Sequence, residues 1–436
     1  MSGHAAVAGS APRVLIRGAR LLDPESGHDA TGDLLIEGER IAAFGGIIAA
    51  DGAEIVDGEG LCLAPGLVDM RVQLREPGAE HMESVESGGH AAAAGGVTTM
   101  AALPNTEPPV DDVSVVEFLA RRAREVRLAK IHTYAAATKG LAGKQLTEMG
   151  LLAANGAVGF TDGVKAIADA LVMRRVLSYA RTFDLLVVQH PQEPSLSGAG
   201  EVNEGETATR LGLAAIPAAA EAIMVERDLR LVEITGARYH AAHLSTAAGV
   251  EAIRRAKAQG LPVTCDTAPP YFALNETAIG DYRTFAKLSP PLRGEWDPRA
   301  VVNGRADGTI DAIASDHAPW DQDSKRLPFS SAAYGIVGLE TVLALSLELY
   351  HNRHMSLLDM VARLTSNPAD ILRLPVGRLA KGAPADLVLF DLDLAWRICT
   401  DEFRSKSKNA PFDGRPVQGR VVRTIVDGRT IFRREG

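Results

Sequence analysis

Residues 66–78 read Gly-Leu-Val-Asp-Met-Arg-Val-Gln-Leu-Arg-Glu-Pro-Gly, a run in which polar and hydrophobic side chains alternate. This alternation predicts a β-strand over 66–74 that places Asp69, Arg71, Gln73 and Arg75 on one face. Three of these side chains lie near the carboxyl end of the predicted strand. They are the first indication of a functional site in the chain.

The pattern of a short apolar strand followed by a helical stretch recurs along the middle of the chain. Such alternation is typical of parallel βα units, and eight units in one domain predict a TIM-type (β/α)8 barrel, an α/β fold. We therefore expect a barrel over residues 64–374. Its strands are predicted at 66–74, 97–105, 130–138, 157–163, 184–193, 238–245, 262–270 and 311–319.

The two ends of the chain differ from the middle. Short apolar runs separated by Gly and Asp turns occupy residues 13–63 and 375–436, and they predict small antiparallel sheets. The two regions are expected to meet as one small β-sandwich domain beside the barrel. Residues 1–12 are small and rich in Ala, Gly and Ser, and we expect them to form a disordered tail.

The composition excludes some classes of partner. Of 436 residues, 46% are hydrophobic and 23% charged, as is ordinary for globular proteins. The net charge of -9, without a cluster of Lys and Arg, argues against nucleic acid or an anionic membrane as partner. No apolar run reaches the roughly 18 residues of a membrane span. Cys62, Cys265 and Cys399 are far apart and are expected to be reduced thiols of a cytoplasmic protein.

Polar side chains gather at the carboxyl ends of the predicted strands. In a barrel these ends meet at one face, where side chains from different strands line a common pocket. The residues concerned are Arg71, Gln73, Arg75, Asn105, Asp162, His190, His243, Asp316 and His317.

Four of these side chains are imidazoles and carboxylates of the kind that bind zinc. They are Asp162, His190, His243 and Asp316. Two bridged metal ions would polarise a carbonyl and supply hydroxide, and a further carboxylate could carry a proton to a leaving nitrogen. The alternative is structural: Asp316 could cap a turn, and a lone strand histidine is more often a core residue, as we interpret His90 and His240.

A series of motifs follows in order along nearly the whole chain. Ala64-Pro-Gly-Leu-Val-Asp69 is continued by Leu74-Arg-Glu-Pro-Gly78, and Ala91-Ala-Ala-Ala-Gly-Gly-Val-Thr-Thr99 by Leu103-Pro-Asn-Thr106. Further motifs are His240-Ala-Ala-His-Leu-Ser245, Ser289-Pro-Pro-Leu-Arg293, Ala314-Ser-Asp-His-Ala-Pro319, Gly335-Ile-Val-Gly-Leu-Glu340 and Asn409-Ala-Pro-Phe-Asp-Gly414. Together they resemble the dihydroorotases of the amidohydrolase superfamily, of the long type found in bacteria and in multifunctional complexes.

The resemblance implies a role for each site residue. Arg75 matches the arginine that holds the substrate carboxylate, a role suited to a guanidinium because it pairs bidentately with carboxylates. Asn105 and His317 match two further substrate-binding positions. The implied metal-site residues are Asp162 as bridging carboxylate, His190 and His243 as ligands of the second metal, and Asp316 as metal ligand and general acid/base.

Arg71 and Gln73 stand where the resemblance implies a His-x-His metal-binding pair. A guanidinium stays positively charged, so Arg71 cannot be a ligand and would repel a divalent ion. We therefore predict that Arg71 is a fixed cation paired with Asp316 or Asp162, and that zinc is limited to one ion or is absent. Ser289 and Trp320 also depart from the family pattern, which usually has Asn and often has His there.

Three functions are compatible with these features. The first is a dihydroorotase of pyrimidine biosynthesis that interconverts N-carbamoyl-aspartate and dihydroorotate, with weak or absent activity. The second is a non-catalytic homologue that organises aspartate carbamoyltransferase, which forms complexes with such homologues in some bacteria. The third, disfavoured by Arg75 and Asn105, is a hydrolase of another cyclic amide such as a hydantoin or allantoin. A homo-oligomer is expected.

Overall fold

Eight parallel strands form a barrel, and a second sheet is built from both ends of the chain. The computed structural model describes residues 12–435. The strands are β1 (Arg13–Asp23), β2 (His28–Glu37), β3 (Arg40–Gly45), β4 (Glu54–Asp57), β5 (Cys62–Pro65), β6 (Leu67–Val72), β7 (Val97–Ala102), β8 (Lys130–Ala135), β9 (Ala157–Phe160), β10 (Leu186–Gln189), β11 (Val202–Asn203), β12 (Ala215–Ile216), β13 (Arg238–Ala241), β14 (Val263–Thr267), β15 (Ala312–Ile313), β16 (Leu387–Arg397), β17 (Pro416–Val426) and β18 (Arg429–Arg433).

Helices connect most of the strands. They are α1 (Val85–Ala94), α2 (Val113–Val126), α3 (Met149–Ala154), α4 (Ala170–Thr182), α5 (Pro194–Ser197), α6 (Glu206–Leu211), α7 (Ala219–Thr235), α8 (Ala247–Ala258), α9 (Pro270–Ala273), α10 (Trp296–Ala306), α11 (Gln322–Lys325), α12 (Val342–His351), α13 (Leu357–Leu364) and α14 (Ser366–Leu372). Helix α4 illustrates their packing, because its buried residues Val172, Met173, Val176, Leu177 and Ala180 form one apolar stripe.

The barrel strands run in the order β15-β14-β13-β10-β9-β8-β7-β6. The ring is closed by a parallel bridge between Val72 and His317, where the Gln73 N–H donates to the His317 carbonyl at 2.9 Å. All eight predicted strands are present, and the predicted (β/α)8 barrel is confirmed.

The strands end earlier than the sequence predicted. Strand β6 ends at Val72, β10 at Gln189 and β15 at Ile313, so the polar residues that follow lie in loops. Arg75, His243 and Asp316 have positive φ angles of 59°, 39° and 52°. Such conformations are uncommon for non-glycine residues and cluster at functional sites. The site is therefore built from the first residues beyond the strands.

The second sheet joins the two ends of the chain. Its order is β18-β17-β16-β5-β1-β2-β3, and β4 pairs with β1. Strand β5 pairs with β1 from the amino-terminal region and with β16 from the carboxyl-terminal region. The β1–β4 and β1–β5 pairs are parallel, so the sheet is mixed rather than purely antiparallel. The division into domains at 13–63 with 375–436 and at 64–374 stays a prediction.

Two further expectations concern parts of the chain outside the barrel. The predicted disordered tail over 1–12 lies outside the described residues except for Pro12, whose carbonyl accepts a hydrogen bond from Gly38 at 2.9 Å. Within residues 12–435, no helix has the length and apolar character needed to cross a membrane.

Candidate active site

A cavity of about 410 Å³ opens at the carboxyl ends of the barrel strands. Five predicted site residues line this cavity, together with residues of the loops that follow β9, β14 and β15. The lining is formed by Arg71, Gln73, Arg75, Asn105, Val164, Ser289, Asp316, Ala318, Trp320, Ala333, Tyr334 and Gly335. We refer to it below as the barrel pocket.

Arg71 forms a buried ion pair with Asp316. The Arg71 Nε donates to Asp316 Oδ1 at 2.8 Å, and only 3% of the Arg71 side chain is exposed. Burial raises the pKa of Asp316, and the neighbouring Arg71 opposes that rise. The predicted pairing of Arg71 with one of the site carboxylates is confirmed. The guanidinium is thus fixed inside the barrel and does not point to solvent.

Asp69 fixes the backbone on both sides of this ion pair. Its carboxylate accepts hydrogen bonds from the Arg71 N–H at 3.1 Å and from the Ser315 N–H at 3.2 Å. Asp69 is buried, which raises its pKa to about 6. From the sequence, Asp69 is predicted on the site face but without a role. Its position on the same face as Arg71 is the signal that could have identified it.

Gln73 and Asn105 form an amide pair in the pocket lining. The Asn105 Nδ2 donates to Gln73 Oε1 at 2.9 Å. This bond leaves the Gln73 amide nitrogen as a donor, because the oxygen is the group already engaged. Two amides held together in this way can recognise polar atoms of a ligand.

Arg75 lies over the ring of Trp320 and faces the pocket. Its guanidinium carbon is 4.3 Å from the ring centroid, and its Nε donates to the Pro319 carbonyl at 3.1 Å. Burial lowers the pKa of Arg75 to about 10, so the side chain remains charged at neutral pH. Surface ion pairs are not what holds it, because Glu76 pairs with Arg122 and Glu83 faces His317.

His190 and His243 face each other in the barrel interior. The His190 Nδ1 and His243 Nε2 atoms share a hydrogen bond of 3.0 Å. Burial, with a further contribution from the charge of Arg71, lowers the pKa of His190 to about 3 and that of His243 well below its ordinary value. Both rings are therefore neutral at physiological pH. Neutral imidazole is the form that binds metals.

Asp162 is engaged with a neighbouring loop. Its carboxylate accepts hydrogen bonds from the backbone N–H and the hydroxyl of Thr138. Burial raises its pKa, and these hydrogen bonds oppose the rise. Asp162 is buried beside Gly163, whose carbonyl lies 3.5 Å from Arg71 Nη2.

The side chains as placed do not fit a zinc centre. Protein zinc sites use three or four ligands, whereas no group of three or more His, Cys, Asp or Glu side chains converges anywhere in residues 12–435. Asp316 is bound by Arg71, and the facing histidine nitrogens provide two candidate ligands. The metal-binding roles of Asp162, His190, His243 and Asp316 stay predictions.

His317 is held by contacts within the protein. Its Nδ1 accepts from the Gly338 N–H at 3.2 Å, so its Nε2 carries the proton directed at Glu83 Oε2, 3.3 Å away. Burial would raise the pKa of Glu83, but hydrogen bonds from His317, Ser405 and Ser87 outweigh it and lower the pKa. Both nitrogens of His317 are thus engaged, and the ring is not part of the pocket lining. Its substrate-binding role stays a prediction.

Two buried lysines fix the segment 329–335, whose last three residues form one wall of the pocket. The Lys325 ammonium donates to the carbonyls of Ala333 at 2.7 Å and Gly335 at 3.2 Å. Lys287 donates to those of Phe329 at 2.6 Å and Ser330 at 3.0 Å. Neither lysine could be predicted from the sequence, because neither belongs to a recognisable motif.

Comparisons with known proteins agree with the fold. A family model described as dihydro-orotase-like matches residues 60–248, and one described as amidohydrolase family matches residues 305–432. Among solved structures, the L-hydantoinase (dihydropyrimidinase) of Arthrobacter aurescens has a TM-score of 0.87 at 25% identity, over 96% of this chain and 95% of that chain. The fold and the pocket thus define an amidohydrolase-type barrel.

The family follows from sequence relatives. The dihydroorotase of Anaplasma phagocytophilum is 49% identical over 96% of this chain and 94% of its own length. That of Wolbachia from Drosophila simulans is 46% identical over 96% of both chains, and that of Syntrophotalea carbinolica 45% identical over 97% and 99%. The chain belongs to the dihydroorotase family.

Proposed function

We propose that this chain is a dihydroorotase-like protein of pyrimidine biosynthesis that binds dihydroorotate and N-carbamoyl-aspartate in the barrel pocket. Its activity in interconverting the two compounds is proposed to be weak or absent. The ligands are those implied by the name of the relatives, which are 45–49% identical over nearly the whole chain. The observation that carries the proposal of low activity is the buried ion pair between Arg71 and Asp316.

The pocket residues have distinct proposed roles. Arg75 binds the ligand carboxylate through its terminal nitrogens, since its Nε is already bound to Pro319. Gln73 and Asn105 recognise the polar atoms of the ureido group. His317 is a further proposed substrate-binding residue. Asp316 is the proposed general acid/base that moves a proton between water and the ring nitrogen.

Arg71 limits this chemistry in two ways. Its charge opposes the rise that burial causes in the pKa of Asp316, so this carboxylate is a weaker proton acceptor than burial alone would make it. Its position also excludes a divalent ion from the Asp316 side of the site. We therefore extend the proposal to the cofactor: the protein contains at most one zinc ion, or none.

The same ion pair favours a second candidate function. A homologue that has exchanged a reactive centre for a fixed ion pair could serve as a binding subunit, and aspartate carbamoyltransferase is the proposed partner. A homo-oligomeric assembly is proposed with it. In this case dihydroorotate turnover is absent, and assembly or activity of the transferase depends on this chain.

Zinc content and turnover test the first proposal together. Elemental analysis of the purified protein is expected to give at most one zinc per chain, and zinc-loaded protein is expected to show slow or undetectable dihydroorotate turnover across roughly pH 6–9. The double variant Arg71→His with Gln73→His is expected to gain zinc and turnover, while Gln73→His alone is not. Two zinc ions and fast turnover in the unaltered protein would contradict the proposal.

Co-purification separates the two candidates. If the chain is a binding subunit, aspartate carbamoyltransferase is expected to co-elute with it and to lose assembly or activity when it is removed. Normal assembly and activity of the transferase without this chain would rule out that function.

A further inference from the structure

We propose that Arg71 is a metal-independent anchor for a second carboxylate, so that the barrel pocket prefers open-chain dicarboxylates to cyclic monocarboxylates. This inference rests on the proposed function for the identity of its ligands, but not on turnover. It makes Arg71 a specificity-determining residue and not only a substitute for a lost ligand.

The first observation is that one edge of the Arg71 guanidinium is free. Its Nε is used by Asp316, and its Nη2 makes only a long contact of 3.5 Å to the Gly163 carbonyl. Its Nη1 is buried and has no hydrogen-bond partner among the described residues. A buried donor without a partner is costly, on the order of 1–3 kcal/mol. Arg71 lines the barrel pocket, and we infer that an acceptor atom of a ligand bound there reaches this edge of the guanidinium.

The second observation is that the same pocket contains another guanidinium. Arg75 is held by Pro319 and Trp320, and neither of its terminal nitrogens has a hydrogen-bond partner among the described residues. The pocket lining therefore has two guanidinium groups but one carboxylate, Asp316. Each guanidinium is a strong donor to a carboxylate, and such charge-assisted hydrogen bonds are about twice as strong as neutral ones.

The chemistry of the two ligands then determines the preference. Dihydroorotate carries one carboxylate and a cyclic amide. Addition of water breaks the ring amide bond, gives the nitrogen a proton and converts the ring carbonyl into a second carboxylate, which releases one further proton at neutral pH. Only the open product, N-carbamoyl-aspartate, can therefore occupy both guanidinium groups with carboxylates. Arg71 is predicted to stabilise the open ligand on the protein.

The amide pair lines the barrel pocket together with both arginines. Gln73 is two residues from each of them, and Asn105 holds its side-chain orientation at 2.9 Å. A ureido group between two carboxylates presents both donors and acceptors to such amides. The ligand class is accordingly an N-carbamoyl or N-acyl amino dicarboxylate.

Calorimetric titration of metal-free protein tests the inference. With EDTA in excess, N-carbamoyl-aspartate is expected to bind at least ten times more tightly than dihydroorotate. It is also expected to bind ten times more tightly than N-carbamoylalanine, an open-chain control that lacks the second carboxylate. Equal affinities for the three ligands, or tighter binding of dihydroorotate, would overturn the inference without any variant being made.

Three variants show which residue causes the preference. Arg71→Met is combined with Asp316→Asn, so that the buried carboxylate is not left unpaired, and Asp316→Asn alone is the matched control. The double variant is expected to bind the three ligands within about threefold of one another, while the control retains the preference. Arg75→Met is expected to weaken the binding of all three ligands to a similar extent. A preference that survives in the double variant would also overturn the inference.

The outcomes for this inference and for the proposed function are distinguishable. Binding of dihydroorotate without a preference for the dicarboxylate contradicts the anchor role of Arg71 and leaves the proposed function standing. If the metal-free protein binds none of the three ligands, the inference is wrong; if the zinc-loaded protein also binds neither dihydroorotate nor N-carbamoyl-aspartate, the proposed function is wrong too.

Discussion

The groups that a side chain in the barrel pocket can offer to a ligand depend on which of its atoms are already bound by neighbouring residues. Arg75 is free to bind a ligand because its Nε is fixed at the Pro319 carbonyl and its plane lies on Trp320, 4.3 Å from the ring centroid. The indole Nε1 in turn donates to the Tyr334 carbonyl at 2.7 Å. Trp320 is therefore a positioning residue for Arg75.

Removal of this ring is expected to weaken carboxylate binding. A cation–π contact of about 0.5–2 kcal/mol corresponds to roughly a 2- to 30-fold weaker Kd for Trp320→Leu. Trp320→Phe keeps an aromatic face and is expected to lose less affinity. Calorimetric titration with N-carbamoyl-aspartate measures the change, and Trp296→Leu, at a residue 78% exposed, is the control. Unchanged affinity in Trp320→Leu would contradict the positioning role.

The sequence could predict which residues share the site face but not how they pair. Strand alternation places Asp69, Arg71, Gln73 and Arg75 together, and it correctly predicts a buried Arg71 with a carboxylate partner. Arg71 pairs with Asp316 and not with Asp162, because Asp162 already accepts hydrogen bonds from Thr138 in another loop. Thr138 and Asp162 are 24 residues apart along the chain, and no local sequence pattern predicts their contact.

At the scale of elements, the pocket depends on an irregular segment between α11 and α12. Residues 333–335 of this segment form one wall, and Gly335 has a φ of 118° with Ala318 only 2.6 Å from where a Cβ would lie. The carbonyls of this segment turn inward, where Lys325 and Lys287 satisfy them. Burial, with repulsion from Lys287, lowers the pKa of Lys325 to about 7.

Lys325→Met is expected to destabilise this wall. The substitution leaves the carbonyls of Ala333 and Gly335 without their ammonium donor, at a cost on the order of 1–3 kcal/mol. The melting temperature should fall, and affinity for N-carbamoyl-aspartate should fall with it because Ala333 and Gly335 line the pocket. The exposed Lys381→Met is the control. Loss of stability with unchanged affinity would show that the wall does not position the ligand.

Element types were easier to predict than element ends. The eight strands follow from apolar runs of limited length, which the chain repeats. Their carboxyl ends were predicted too late, because residues such as Arg75 and Asp316 continue the alternation while their backbone has already left the strand at positive φ. A positive φ at the end of a strand depends on tertiary contacts, which override local propensity.

At the scale of the whole molecule, the carboxyl-terminal region completes the site. The segment between β16 and β17 crosses to the barrel, where Asn409 donates to the carbonyls of Ala318 at 3.1 Å and Gly335 at 3.0 Å. Glu340, just before α12, accepts from the N–H groups of Arg404 at 2.7 Å and Ser405 at 3.1 Å. The barrel pocket therefore depends on both ends of the barrel sequence and on residues beyond it.

Glu340 makes the contact between the barrel and the segment that joins β16 to β17 sensitive to pH. Burial raises its pKa from 4.5 to about 7, and the two backbone hydrogen bonds only partly oppose the rise. Between these values the folded state holds a proton that the unfolded state has released, so the contribution of Glu340 to stability is full below pH 4.5 and is lost as the pH rises to about 7.

Glu340→Gln is expected to remove this loss. Both N–H donors are bound by Oε1 alone, so the amide oxygen can keep both hydrogen bonds without the buried charge. The variant should melt at the same temperature as the unaltered protein near pH 4.5 and several degrees higher at pH 8. Thermal unfolding followed by circular dichroism across this range measures the difference, with the exposed Glu402→Gln as control. A Glu340→Gln variant that is equally or less stable at pH 8 would show that the Glu340 charge is not what limits this contact.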